Sequence, residues 1–259
     1  YDLIIGASSN IADYIIEHGP DYPDTKFAVI DTTVDLPNVQ SISFAQNQGS
    51  FLAGAAAAMF TEKTDIEGVN EDAIIGWVGG MDIPVLHDFY VGYEQGAKYI
   101  NPDITILQAF AGTWSDPLKG KELTLAQYEQ GADIVMNVAS GTGTGVLEGA
   151  KEAGKYAIGV DLNQDGDQPG SVLTSMVKRV DNACYLVIES VVNGTFEGGS
   201  TRYLDLEQGG VSLTDFSVMR EALGEQFPED IVEKCDELAQ QIISGEIVVE
   251  NYEGFGPEA

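Results

Sequence analysis

At 259 residues and 44% apolar content the chain can bury a sizeable core, as one large domain or as two lobes. Its 42 acids against 12 lysines and arginines give a formal charge of -30, spread along the whole length, which repels nucleic acid and anionic membrane surfaces. No apolar run approaches a membrane span, and two cysteines and two histidines leave little material for a metal centre or a catalytic triad.

The chain opens directly on a strand, with no signal peptide pattern, and continues with a helix over 11–17 and a turn at Pro20 and Pro23. A strand over 27–30, closed by Asp31, leads through an acidic loop to a strand over 41–44. The helix expected over 49–60 is rich in glycine and alanine, which implies close helix packing and not chemistry. A polar loop over 61–72 precedes a strand over 73–78 and the sequence Gly79-Gly80-Met81-Asp82-Ile83-Pro84. Two glycines and a proline around a Met-Asp pair suit a chain crossing between lobes. On the next helix, over 85–99, Phe89, Tyr93 and Ala97 share a face; His87 reads as a surface or capping residue.

After a strand over 104–110 comes Gly112-Thr113-Trp114-Ser115-Asp116-Pro117, then a helix over 118–130 with an N-cap at Ser115 or Asp116 and proline at its first position. Trp114 is either a core residue or a stacking platform at the carboxyl edge of a sheet. The stretch from Asp133 to Asp161 reads as one β-α-β unit: strand 134–138, a glycine-rich turn Ser140-Gly141-Thr142-Gly143-Thr144-Gly145, a helix over 146–153, and strand 156–161 ending in an acid. The turn offers backbone N–H groups at a helix N-terminus, and Asp161 shares its edge of the sheet. A polar loop leads to the strand Ser171-Val172-Leu173-Thr174-Ser175-Met176-Val177, and then the Lys178-Arg179 pair, which either neutralises nearby acids or donates to a ligand hydroxyl. Helix 182–192, strand 202–206, a turn at Gly209-Gly210, a last helix over 229–243 and an acidic surface tail complete the order.

Asp2 to Asn10 lies over Asp133 to Gly141, Lys26 to Asp31 over Lys155 to Asp161, and Ser41 to Phe44 over Ser171 to Thr174, an internal duplication of roughly sixty residues. The expected fold is α/β, two lobes of parallel sheet flanked by helices: 1–72 with 178–200 as the first, 73–177 with 201–215 as the second, and 216–259 as a C-terminal helix and tail. The first lobe lacks a counterpart of the strand and helix that precede Asp133, so one strand and one helix are expected to be missing before Tyr1. The acids point to a high-salt setting, where a Debye length of about 3 Å at 1 M removes most self-repulsion. Cys184 and Cys235 read as buried thiols or as a pair.

The enzyme reading is an NAD-dependent oxidoreductase: a glycine turn after a strand with Asp161 beyond it, at the spacing that holds a ribose 2′-hydroxyl. The fingerprint fails where its third glycine falls on Val146, and no acid–base pair with a nucleophile accompanies it. The binding reading needs only two lobes with ligand at their strand ends. Gly49-Ser50-Phe51-Leu52-Ala53-Gly54, Gly79 to Pro84, Asn101-Pro102-Asp103-Ile104, Asp116 to Glu122, Ser140 to Gly145, Ala157 to Asp161 and Ser171 to Arg179, in this order, resemble the basic membrane protein family, substrate-binding lipoproteins of ABC importers related to purine-nucleoside receptors. The resemblance implies a type I periplasmic-binding-protein fold, no enzyme activity and no cofactor. It also implies a nucleoside-like small molecule in the cleft, an ABC permease as partner, a monomer, and an extracytoplasmic, lipid-anchored location. By the same resemblance Trp114 stacks on the base, Asp161 binds the ribose hydroxyls, Lys178 assists, and Gly141 and Thr142 line the pocket; Met81, Asp82, Ser9 and Asn10 are further contacts. A sensory receptor for a flavin or nucleobase on the same fold is the remaining alternative.

Overall fold

The computed structural model describes residues 1–7 and 11–253. Its elements in chain order are β1 (Leu3–Gly6), α1 (Ala12–His18), β2 (Lys26–Ile30), β3 (Val39–Phe44), α2 (Gln46–Phe60), β4 (Ile74–Gly79), α3 (Pro84–Ile100), β5 (Thr105–Phe110), α4 (Pro117–Glu129), β6 (Ile134–Val138), α5 (Gly143–Ala153), β7 (Tyr156–Asp161), β8 (Val172–Lys178), α6 (Val180–Asn193), β9 (Ser200–Leu204), β10 (Val211–Leu213), α7 (Ser217–Leu223) and α8 (Glu229–Ile243). They form two α/β units. Of the described residues, one contains Tyr1–Ala45 and Arg179–Val211, the other Gln46–Lys178 and 212–253, so the backbone passes between them at 45/46, 178/179 and 211/212.

The first unit is a parallel sheet of order β1-β2-β3-β9. One hydrophobic cluster joins Ala12 and Ile15 of α1 to Phe27, Val29, Val34 and Val39. The second unit has the order β10-β8-β7-β6-β4-β5, with β8 through β5 parallel. Its β6 is buried at every residue, as expected of a parallel strand covered on both faces. Val135, Val146, Leu147, Ala150 and Ala157 form the core beneath α5.

The duplication read from the sequence reappears as topology. β1-α1-β2-β3 and β6-α5-β7-β8 run in the same order, and β9 and β10 extend the two sheets at equivalent edges. Asp31 and Asp161, the acids closing the second strand of each repeat, both adopt left-handed backbone, φ 61° and 64°.

The division of the chain differs from the expected one. The stretch 46–60 belongs with the second unit, because α2 packs backbone to backbone on α3 through Gly54, Gly92 and Gly96. The stretch 200–204 belongs with the first, because β9 pairs with β3 in the register Ile42↔Arg202 and Phe44↔Leu204. The C-terminal segment is no separate piece either: α8 buries Ile231, Cys235, Leu238 and Ile242, and the Cys235 thiol reaches the Leu52 carbonyl of α2. The residues 79–84 connect β4 to α3 inside the second unit and are not a crossing between units. Cys184 and Cys235 are free thiols.

Candidate ligand site at the carboxyl edge of the second sheet

In the second unit the chain leaves β4 through α3 to β5 on one side, then returns through α4 to β6 on the other. That reversal makes a switch point between β4 and β6, the place where open α/β sheets bind ligands outside the strand carboxyl ends. Because β8, β7, β6, β4 and β5 are parallel neighbours, the residues following them share one edge: Lys178, Asp161, Ser140-Gly141, Met81-Asp82 and Trp114, in that spatial order.

Three of these loops form one hydrogen-bonded body. The Gly80 N–H donates to the Val138 carbonyl (2.9 Å), Thr113 N–H to Gly80 O (2.9 Å) and Thr142 N–H to Trp114 O (3.0 Å). The Thr142 hydroxyl donates to Thr113 O (3.0 Å) and accepts from Asp116 N–H (2.9 Å). This buried threonine is therefore a staple between loops, with its side chain fully engaged. Asp116, one of the two caps offered by the sequence, caps α4 by accepting from Lys119 N–H. The Trp114 indole lies against the bare backbone of Gly80 and is 40% exposed, so it is not a core residue.

The glycine-rich turn also has a packing reason. α5 begins at Gly143, not at 146, and side chains at Gly143 or Gly145 would overlap the Asn137 amide or the Pro117 carbonyl. These glycines permit close packing of α5 against β6 and the start of α4. Ser140 just before it takes φ 51°, unusual for a non-glycine residue.

Asp161 is exposed, and its loop is clamped from below. The Gln164 Oε1 accepts from Val160 N–H (2.9 Å) and Asn137 Nδ2 (2.9 Å), and Gln164 N–H donates to Ser175 Oγ (3.0 Å). Ser175 in turn donates to the buried Asp165 carboxylate at 2.6 Å, whose pKa burial raises. Lys178 is buried to 6% exposure with its ammonium 5.5 Å from the centre of the Phe89 ring. Met81 is partly exposed and Asp82 exposed, with Asp82 Oδ1 2.6 Å from His87 Nε2. Ser9 and Asn10 lie outside the described residues.

Sequence reading missed Asp88. It sits on α3 in the stripe of Gly92 and Gly96, fully buried, accepting from Gln46 Nε2 (2.7 Å) and Tyr252 N–H (2.8 Å). An acid four and eight residues before two packing glycines was the available signal. Burial raises its pKa from 3.8 to about 6; hydrogen bonds from Tyr252, Asn251 and Gln46, and then the Lys178 charge, oppose the shift. The stabilising proton uptake is complete below the unfolded pKa and is lost as pH rises through about 6. Asp88→Asn should therefore be more stable than the parent near pH 7.5, by up to about 3 kcal/mol, with the gap closing toward pH 4. Gln46 Oε1 has no partner among the described residues, so an amide flip would accommodate the new Nδ2. Urea titrations of both proteins across this range read the gap directly, and a pH-independent difference would mean Asp88 stays ionised throughout.

Comparison with known proteins agrees with this architecture. A family model described as "ABC transporter substrate-binding protein PnrA-like" matches residues 1–253. Basic membrane protein D of Borreliella burgdorferi is 34% identical, over 96% of this chain and 71% of that protein. The ABC transporter nucleoside-binding protein BmpA of Lactococcus lactis is also 34% identical, over 82% of this chain and 63% of its own. Among solved structures, an ABC transporter solute-binding protein from Aeropyrum pernix superimposes with a TM-score of 0.87 at 30% identity, covering 96% of this chain and 78% of the other.

Proposed function

The chain belongs to the Bmp family of PnrA-like ABC transporter substrate-binding proteins, and from that premise we propose that it binds a purine nucleoside at the carboxyl edge of its second sheet and delivers it to a membrane permease. The family is one of solute-binding proteins, not of enzymes. The observation that carries the ligand class is the set of groups on that edge: a half-exposed indole fixed against Gly80, and an exposed acid in left-handed backbone on a clamped loop. A planar base stacks on Trp114, the ribose hydroxyls donate to Asp161, and Lys178 donates from the end of the neighbouring strand. Gly141 contributes bare backbone, and Met81 and Asp82 border the switch point. The nucleoside-binding relative in Lactococcus supports the same class.

Nothing in this reading requires turnover; the ligand leaves as it arrived. Titration calorimetry with inosine, adenosine and guanosine tests it, with one site per chain expected. Asp161→Ala should weaken binding by roughly 1 to 3 kcal/mol, because hydroxyl donors would be buried without an acceptor. Unchanged affinity removes Asp161 from the site, and no binding across the panel removes the nucleoside reading.

The protein acts outside the cytoplasm in this reading, as a lipid-anchored monomer beside its permease; among the described residues no helix is long and apolar enough to cross a membrane. With a charge of -30 it should need concentrated salt to fold cooperatively. Raising ionic strength from about 0.1 M to about 1 M shortens the Debye length from roughly 10 Å to 3 Å, and the melting temperature should climb steeply over that interval. A flat response would remove the high-salt assignment.

A further inference from the structure

The segment after α8 is fastened along α3, the helix that follows the switch-point loop, and to the start of α2. Asn47 Nδ2 on α2 donates to the Val249 carbonyl (3.1 Å), and the Gln95 side chain on α3 exchanges two hydrogen bonds with the backbone of Glu250, both 2.9 Å. The Tyr252 N–H closes the series on the buried Asp88 carboxylate. The strap thereby brings the Tyr252 ring flat onto the His87 imidazole, with centroids 4.8 Å apart and 21° between the planes. Phe110, at the end of β5, meets His87 at 5.3 Å and a tilted angle. Held by both rings, His87 presents Nε2 to Asp82 Oδ1 at 2.6 Å.

Asp82 itself is 73% exposed and belongs to the loop at the switch point. A carboxylate so exposed has many rotamers in water, and a ligand that uses it must immobilise it. An imidazole fixed by ring stacking removes that freedom before the ligand arrives. We propose that Tyr252 and His87 are positioning residues that orient Asp82 toward the ligand, so that the C-terminal strap is a working part of the binding site. This rests on the assignment of the carboxyl edge as the ligand site.

The test is calorimetric titration of the full chain with inosine, together with proton NMR of its two histidines without ligand. His87→Ala and Tyr252→Ala should each weaken inosine about tenfold, the size of a lost charge-assisted hydrogen bond, and Tyr252→Phe should restore the parent affinity. In an Asp82→Asn background neither alanine should have a further effect. A purely structural role would instead lower affinity by the same factor in both backgrounds, and that result, or parent affinity in His87→Ala, overturns the proposal. If the parent binds no inosine, the nucleoside assignment is what has failed, and the NMR decides the relay: the His87 ring-proton resonances should move on Asp82→Asn and on Tyr252→Ala. Resonances unmoved by either substitution overturn it.

Discussion

Asp133→Ala is expected to cost about 3 to 5 kcal/mol, the usual penalty for breaking a buried ion pair from one side. The Asp133 side chain is wholly buried, and its two oxygens serve three separate parts of the second unit. The Thr61 hydroxyl, just past α2, donates at 2.5 Å; Asn70 donates through its N–H (3.1 Å) and its amide (2.6 Å); the Lys155 ammonium lies at 2.8 Å. Alanine leaves all four donors facing a dry gap, including an ammonium whose side chain is only 18% exposed. Asp133→Asn, which keeps an acceptor but loses the charge, should recover part of the loss. Because Asp133 precedes β6, it lies at the amino edge of the sheet, opposite the proposed ligand site. Urea unfolding should show the full penalty while the folded fraction retains parent inosine affinity. A loss under 1 kcal/mol would mean that water reaches these donors as soon as the carboxylate is gone.

Elements were legible in the sequence where local pattern and tertiary demand agree. α8 was read with its observed bounds because Ile231, Val232, Leu238 and Ile242 recur at helical spacing on a chain that is polar elsewhere, and the structure buries Ile231, Leu238 and Ile242 together with Cys235. β6 and β7 were legible because strands buried on both faces carry continuous apolar runs. β10 was not, since it is three residues long and is recruited as an edge beside β8. α7 was missed for a similar reason: it follows Phe216 in left-handed backbone and has no side-chain cap. The true start of α2 was hidden because Gln46, Asn47 and Gln48 look like a polar loop. Gln46 and Asn47 are buried, and their amide donors are consumed by Asp88 and the Val249 carbonyl, partners that lie 42 and 202 residues away.

The edge that holds the candidate site was legible for a general reason: residues at strand carboxyl ends are placed by topology, and the β-α-β pattern already fixes which ends those are. Trp114, Asp161 and Lys178 were therefore placed on that edge from the sequence. What holds the Asp161 loop was invisible, because Gln164, Asn137 and Ser175 become neighbours only when β6, β7 and β8 are laid side by side. His87 was read as a surface or capping residue for the same reason, since Tyr252 lies 165 positions away along the chain.

Gly96→Ala sets two quantities against each other. Alanine is the better helix former by about 1 kcal/mol, so on an exposed face of α3 the change would stabilise. At Gly96, however, the added methyl falls inside the Phe51 carbonyl of α2, and the same close approach recurs between Gly92 and Asn47 and between Gly54 and Tyr93. The obstacle in each case is backbone and not the end of a flexible side chain, so relief requires the helices to separate along their whole contact. Overpacking of this kind costs typically 1 to 3 kcal/mol and sometimes more. α2 is buried at nearly every position and cannot yield outward. Steric cost should win, leaving a net loss of about 2 kcal/mol by urea unfolding. Gly166→Ala is the control: nothing lies within 4 Å of its added methyl, so it should change stability by under about 1 kcal/mol in either direction. Separation of α2 from α3 would also pull Gln46 from Asp88 and shift Phe89 beneath Lys178, so weaker inosine binding should accompany the lost stability. Lost stability with parent affinity would show that α3 moves as a rigid piece, and that the site depends on the strand ends alone.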